Sequence, residues 1–148
     1  MKELLKDFKV KTVVKVRWGD MDAYQHVNNV IYVAWGEIAR IDYFIALESE
    51  AFLSSPKKMK YAPILGFQSV KYIAPLVYPD TIHIGTKTAE IKEDRIVLKS
   101  FYYSENSKKL VAIKTHEVVI FDYTTNQKIL VPEEFIAKIN NLEKRANF

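Results

Sequence analysis

The chain has no cysteine, and that one absence removes several chemistries together. Thiol nucleophiles, disulfides and thiolate metal sites all drop out, and a reducing compartment fits. Glycine is scarce, with only four, at positions 19, 36, 66 and 85. That is too few for a Gly-rich phosphate loop or a dinucleotide fingerprint. No Gly-x-Ser-x-Gly elbow occurs either. No uncharged apolar run approaches the roughly 18 residues that a membrane span requires. The opening Met1-Lys2-Glu3-Leu4-Leu5-Lys6-Asp7 has acids and no apolar stretch, unlike a secretory signal, so a cytoplasmic protein without a membrane partner is expected. Basic and aromatic residues do not interleave in a nucleic-acid motif, which leaves no expectation of nucleic-acid binding.

What is present suits one globular domain spanning residues 1–148, large enough to bury a real core. Hydrophobic residues make up 49% and charged ones 27%, so the chain is not of the disordered class. The net charge is only +4, and its densest basic cluster is Lys57, Lys58 and Lys60, after Pro56. A solvated loop explains the cluster, and attraction for a phosphate-bearing ligand is the sharper alternative.

Hydrophobic periodicity sets the order of elements. Lys11 to Trp18 alternates, with Thr12, Val14, Val16 and Trp18 on one face, as a half-buried strand does. From Asn29 to about Leu47 the sequence is apolar on most sides, interrupted by Glu37, Arg40 and Asp42. A helix of that kind must be enclosed. Four strand-like stretches follow, at 62–74, 80–92, 95–104 and 109–122, with turns too short for parallel crossovers. Pro132 with Glu133 and Glu134 then opens a short amphipathic helix carrying Phe135, Ile136, Ile139 and Leu142. The expected fold is α+β: a curved antiparallel five-stranded sheet wrapped around one long central helix, with a short C-terminal helix. Pairing with further copies at a sheet edge or helix side would complete the enclosure.

The junction between the first strand and the long helix holds the chemistry. Within twelve residues it gathers Asp20, Asp22, His26, Asn28 and Asn29. Asn28 or Asn29 suits a helix N-cap. An acid facing the open N–H groups of a helix start can handle water beside a polarised carbonyl, the outline of an acyl-transfer or hydrolysis site. Asp22 also suits a plain turn residue, and Asp20 a structural one held by local N–H groups. His26 either orients Asp22 or water, or only caps the loop. His83 and His116 sit alone within strands, and no metal-ligand set is completed. Glu37 and Arg40, three apart, suit an intrahelical pair.

The stretches Arg17-Trp18-Gly19-Asp20-Met21-Asp22, His26-Val27-Asn28-Asn29, Tyr32-Val33-Ala34-Trp35 and Glu37-Ile38-Ala39-Arg40 resemble the hotdog-fold acyl thioesterases. The branch most similar is the 4-hydroxybenzoyl-CoA thioesterase-like group, and Gln25 to Asn29 also resembles acyl-ACP thioesterases. The resemblance implies a catalytic carboxylate at Asp22 and an oxyanion-binding backbone N–H at Asn29, with His26 assisting. It places Glu37 near the acyl pocket, with Tyr24 and Tyr32 as further substrate contacts and Lys57, Lys58 and Lys60 at a rim for CoA phosphates. The acyl-ACP branch carries Asn where this chain has Tyr24, which weakens that carrier. The implied activity is hydrolysis of acyl-CoA by a homodimer or homotetramer without a cofactor. Hydrolysis of acyl-ACP and a non-catalytic acyl-CoA-binding module are the alternatives, and the histidine motif of hotdog dehydratases is not visible.

Overall fold

The computed structural model describes residues 1–48 and 60–144. Strand β1 is Val10–Lys15, followed by a single 3-10 turn at Trp18–Asp20 and helix α1 at Asn29–Glu48. Strands β2 (Tyr61–Tyr72), β3 (Thr81–Ile91), β4 (Arg95–Ser104) and β5 (Leu110–Asp122) come next. A three-residue β6 (Gln127–Ile129) and helix α2 (Glu133–Lys144) complete the order. All pairings are antiparallel, in the order β1-β3-β4-β5-β2, with β6 on β5. The chain leaves β1 at one edge and re-enters the sheet as β2 at the other. Helix α1 therefore crosses the whole concave face, about 30 Å long by its rise per residue. Extra residues in β2, β3 and β5 shift the register and add the local twist that lets the sheet curve.

The expected wrapped sheet is thus present, with β6 as a sixth strand too short to carry a periodic signal. Two other details depart from the sequence reading. The alternation of β1 stops at Lys15, and the Arg17–Asp20 turn swings Trp18 out to 73% exposure. The sheet also covers α1 on one side only. Tyr32, Trp35, Gly36, Ala39, Tyr43 and Phe44 are buried, whereas Val30 and Ile38 are exposed. The helix is apolar nearly all round, but a single chain does not enclose it.

Beneath α1 the core divides into two clusters. One, at the start of the helix, gathers Tyr32, Trp35, Ala39, Ile82, Ile84, Tyr102, Val111 and Ala112. The other, at its far end, gathers Tyr43, Phe44, Ile96, Leu98, Val118, Ile120 and the α2 residues Phe135 and Ile139. Between them a polar belt crosses the sheet. Thr86 on β3 bonds Ser100 on β4 at 2.9 Å, and Ser100 bonds His116 Nε2 on β5 at 3.0 Å. Lys114 lies beside them, and Thr12 on β1 donates to Asp42 of α1. Thr86, Ser100, Lys114 and His116 are all buried.

Gly36 makes room for this belt. A Cβ there would lie 2.3 Å from Lys114 Cδ and 2.4 Å from the Tyr102 hydroxyl oxygen. Both side chains are fully buried and have no free direction in which to retreat. Gly36→Ala is expected to cost about 1–3 kcal/mol by overpacking. At about 2–4 °C per kcal/mol for a chain of this size, calorimetry should show a clear drop in Tm.

Burial, with the charges of Lys114 and Arg40, brings the His116 imidazole down from 6.5 to about 3. The unfolded chain protonates His116 near 6.5 while the folded chain keeps it neutral. Stability is therefore complete above that pH and falls as pH drops from 6.5 towards 3. The depressed carboxyls, Asp94, Asp122 and Glu105, act only below 4.5. Denaturant titrations at pH 7 and pH 5 should show this loss, and His116→Gln should flatten it; an equal loss in both proteins would refute the assignment.

Candidate active site

The site is built on the segment that turns the chain from β1 into α1. Asp20, only 1% exposed, ties its two ends together. Its carboxylate accepts hydrogen bonds from Arg17 N at 2.8 Å, Arg17 Nη2 at 2.9 Å and Arg17 Nε at 3.1 Å. Its carbonyl accepts from Asn28 N at 2.9 Å. The structural role expected of Asp20 is what the bonds show. Residues 21–27 form a tight loop closed by a Met21–Val27 bridge. Asp22 N donates to His26 O at 3.0 Å, and Gln25, at φ 62°, donates its N–H to Asp22 O. The loop thus holds Asp22 and His26 at its two stems through backbone hydrogen bonds.

Asp22 is exposed, and one of its carboxylate oxygens accepts from Tyr24 N at 2.9 Å. It lines a cleft with Trp18, Met21, Gln25, Val77 and Tyr78. His26 lines a neighbouring cleft with Asn29, Tyr32, Tyr72, Ile73, Ala74 and Pro75. The segment from Tyr72 to Tyr78 runs along both clefts, and the 21–27 loop separates them. The two side chains expected to cooperate are therefore neighbours across a loop wall, without a direct side-chain bond.

Asn28 is the N-cap. Its side-chain oxygen accepts from Val30 N at 3.1 Å, and its carbonyl accepts from Ile31 N. The Asn29 N–H makes no hydrogen bond among the described residues. It is an open donor at the positive end of a 20-residue helix, on a residue that lines the cleft holding His26. That helix start is clamped to the sheet at three carbonyls. Tyr72 hydroxyl donates to Asn29 O at 3.0 Å, Tyr102 hydroxyl to Tyr32 O at 2.9 Å, and Lys114 Nζ to Val33 O at 2.9 Å. Sequence reasoning missed Tyr72, Tyr102 and Lys114; Gly36, opposite the last two, was the available signal.

The remaining expected contacts scatter. Tyr24 is 85% exposed beside Asp22, and Tyr32 is buried at the inner wall of the His26 cleft, its hydroxyl raised to about 12 by burial. Glu37 lies two turns along α1, exposed, with its Oε1 3.8 Å from Arg40 Nη2. Lys60 is exposed before β2, at the opposite end of that twelve-residue strand from Tyr72, so one chain does not bring it to Asp22. Lys57 and Lys58 lie outside the described residues. Among the described residues no group of three His, Asp or Glu side chains is disposed to hold a metal, and no helix is long and apolar enough to cross a membrane.

Residues 16–139 match the thioesterase-like superfamily, a span that takes in the whole junction, strands β2 to β6 and the first half of α2. The chain belongs to that family. The long-chain acyl-CoA thioesterase FadM of Escherichia coli K12 is 25% identical over 135 residues, covering 91% of this chain and all of that protein. The probable thioesterase YbaW of E. coli superposes with a TM-score of 0.77 at 25% identity, over 90% of this chain and 98% of that one. A thioesterase of Thermus thermophilus, solved with coenzyme A and zinc, superposes at 0.77 with 23% identity over 94% and 97%. The hotdog thioesterase resemblance read from residues 17–40 is confirmed at the level of family and fold, and thioester hydrolysis is the activity this membership carries.

Replacing Asn28 by Ala removes the cap, and a cap of this kind contributes about 0.5–2 kcal/mol. The expected result is a lowered Tm together with a turnover loss greater than the unfolded fraction explains, because the Asn29 N–H loses its fixed direction. Thermal melts and steady-state kinetics on the same preparation would check it.

Proposed function

We propose that the chain, folded as one hotdog domain, hydrolyses acyl-CoA thioesters to the free acid and CoA in the cytoplasm. The observation that carries this reading is the unpartnered Asn29 N–H at a capped helix start, with Asp22 and His26 on the loop immediately before it. The N–H would take the thioester carbonyl oxygen and hold the negative charge that grows on it as the tetrahedral intermediate forms. Asp22 would either take a proton from the attacking water or attack the carbonyl carbon itself, giving an acyl-enzyme anhydride that water then opens. Collapse breaks the C–S bond, and the CoA thiolate leaves and is protonated. FadM, similar along its whole length, supports the acyl-CoA substrate.

A second assignment of the base has its own support. His26, not Asp22, lines the same cleft as Asn29, so the imidazole is a rival acceptor for the water proton.

Tyr24 and Tyr32 are the substrate contacts nearest these groups. Glu37 lies further along the acyl path. Lys57, Lys58 and Lys60 would meet the CoA phosphates at a site completed by another copy of the chain. Such a homodimer or homotetramer would also cover the exposed side of α1 and the free edge of β2.

Thiol release from short, long and aromatic acyl-CoAs tests the reading, with Asp22→Asn and His26→Gln beside the wild type. A fall of about a hundredfold or more in kcat for Asp22→Asn, with His26→Gln milder, is the expected outcome. The reverse order would transfer the base to His26, and equal rates in all three proteins would remove both. Acyl-ACP given as competitor identifies the carrier.

A further inference from the structure

The net charge of the chain is not spread evenly along it. Residues 1–17 carry six basic and two acidic side chains, so the whole surplus of +4 lies there and the rest of the sequence is balanced. The fold draws these cations into a row. Lys11, Val13 and Lys15 are the outward positions of β1, all exposed, while Val10 and Thr12 turn inward. Lys9 before the strand and Arg17 after it are exposed too. At about 3.3 Å per residue the row from Lys9 to Arg17 is about 25 Å long. Among the described residues Lys9, Lys11 and Lys15 make no ion pair or side-chain hydrogen bond. Arg17 binds Asp20 through Nε and Nη2, yet 78% of its side chain is exposed. His83, opposite Val13 on β3, holds Glu105 at 2.6 Å, so that carboxylate already has a partner.

Protruding rings continue the row. Trp18, next after Arg17, is exposed and meets the Tyr78 ring edge-on at 5.8 Å. Val77 and Tyr78 are exposed beside it, and Tyr24 stands out from the 21–27 loop. Trp18, Val77 and Tyr78 also wall the cleft that holds Asp22. Lysine on an edge strand deters strand addition, but that role asks nothing of Trp18, Tyr24 or Tyr78. A second copy paired at β2 leaves β1 free, since the two are opposite edges of the sheet. An acidic protein partner would call for a packed apolar core among the charges. Here a few rings project at one end of a line of cations. Tryptophan and tyrosine rings settle at the headgroup level of a bilayer, and Lys and Arg beside them are drawn to anionic lipids.

We propose that the β1 edge is a surface for peripheral contact with an anionic lipid bilayer, with Lys9, Lys11, Lys15 and Arg17 against the headgroups and Trp18 and Tyr24 among them. This replaces the expectation of no membrane partner. No described helix is long and apolar enough to cross a membrane, and a contact lying on the surface needs none. Such a contact goes beyond the thioesterase reading and does not depend on it. Its consequence for that reading is delivery. The row ends at the Asp22 cleft, so a docked molecule would hold the cleft beside a layer in which acyl amphiphiles dissolve.

The test is cosedimentation with vesicles of phosphatidylcholine alone and with about one-third phosphatidylglycerol, for the wild type and the Lys11→Gln, Lys15→Gln double variant. Both lysines are exposed and without a partner, so the variant should keep the wild-type Tm. The wild type is expected to bind the anionic vesicles and not the neutral ones, and to be released as salt rises from about 0.1 M to about 1 M. Each cation near an anionic surface contributes about fivefold to affinity, so the variant should bind about twentyfold more weakly. Tryptophan emission should shift to the blue on binding and be quenched by bromolipids, and Trp18→Phe should abolish both effects, because Trp35 is already buried. No wild-type binding, equal binding to neutral vesicles, equal binding by the double variant, or an unmoved emission would each overturn the membrane assignment. Binding to polyglutamate as tight as to the anionic vesicles would give the strip to an acidic protein and overturn it as well. Thiol release plays no part in these readouts, so failure here and failure of the thioesterase reading are separate results.

Discussion

The grip of the sheet on the first half of α1 is the constraint from which the rest follows. Tyr72 from β2, Tyr102 from β4 and Lys114 from β5 each donate to a backbone carbonyl between Asn29 and Val33. Helical carbonyls already accept within the helix, so these second bonds add position rather than secondary structure. They fix the helix start against three strands at once. An oxyanion donor stabilises a transition state only when held to within a fraction of an ångström. A helix resting on apolar contacts alone has no such directional reference. Asp20 completes the arrangement from the other side, joining the Arg17 turn to the Asn28 cap. Sheet, loop and helix start therefore share one frame, although the loop carrying Asp22 and His26 is itself exposed.

Much of this was legible because the signals were local. Asn28 and Asn29 before an apolar run marked the helix start to the residue, and Pro132 with two acids marked that of α2. Alternation gave β2 to β5 to within two residues or so. The family resemblance rested on residues 17–40, which are also the residues that build the junction. The parts that escaped depend on what lies opposite a residue. Period-two alternation on β5 separates Lys114 and His116 from Ile113 and Thr115 but does not say which set turns inward. A lysine invites the solvent face, yet Lys114 is the buried one, and Ile113 is half-exposed. Only Gly36, a residue too small for its place in an apolar helix, hinted that something large approached there. The placing of Asp22 and His26 in separate clefts was equally hidden. It follows from the left-handed Gln25 and the Met21–Val27 bridge, neither of which has a periodic signature.

The exposed stripe on α1 and the free edge of β2 belong to the same argument. An apolar helix needs cover, and the sheet supplies it on one side. At the far end of β2 the described groups carry both signs, Lys60 and Lys138 beside Glu48 and Glu134.

The polar belt has a further consequence for how this chain tolerates change. The two apolar clusters have no member in common, and each is closed by its own residues: Leu76 and Val27 on one side, Phe135 and Ile139 on the other. Side chains in separate clusters perturb each other little, and their effects on stability tend to add. The half resting on α2 is thus a foundation that drift or redesign can repack without disturbing the reacting groups. The half under the helix start has less freedom, since Val27 and Tyr32 there line a cleft and Tyr102 holds the helix through Tyr32 O. Substitutions that alter durability and substitutions that alter chemistry should therefore fall in different parts of one small core.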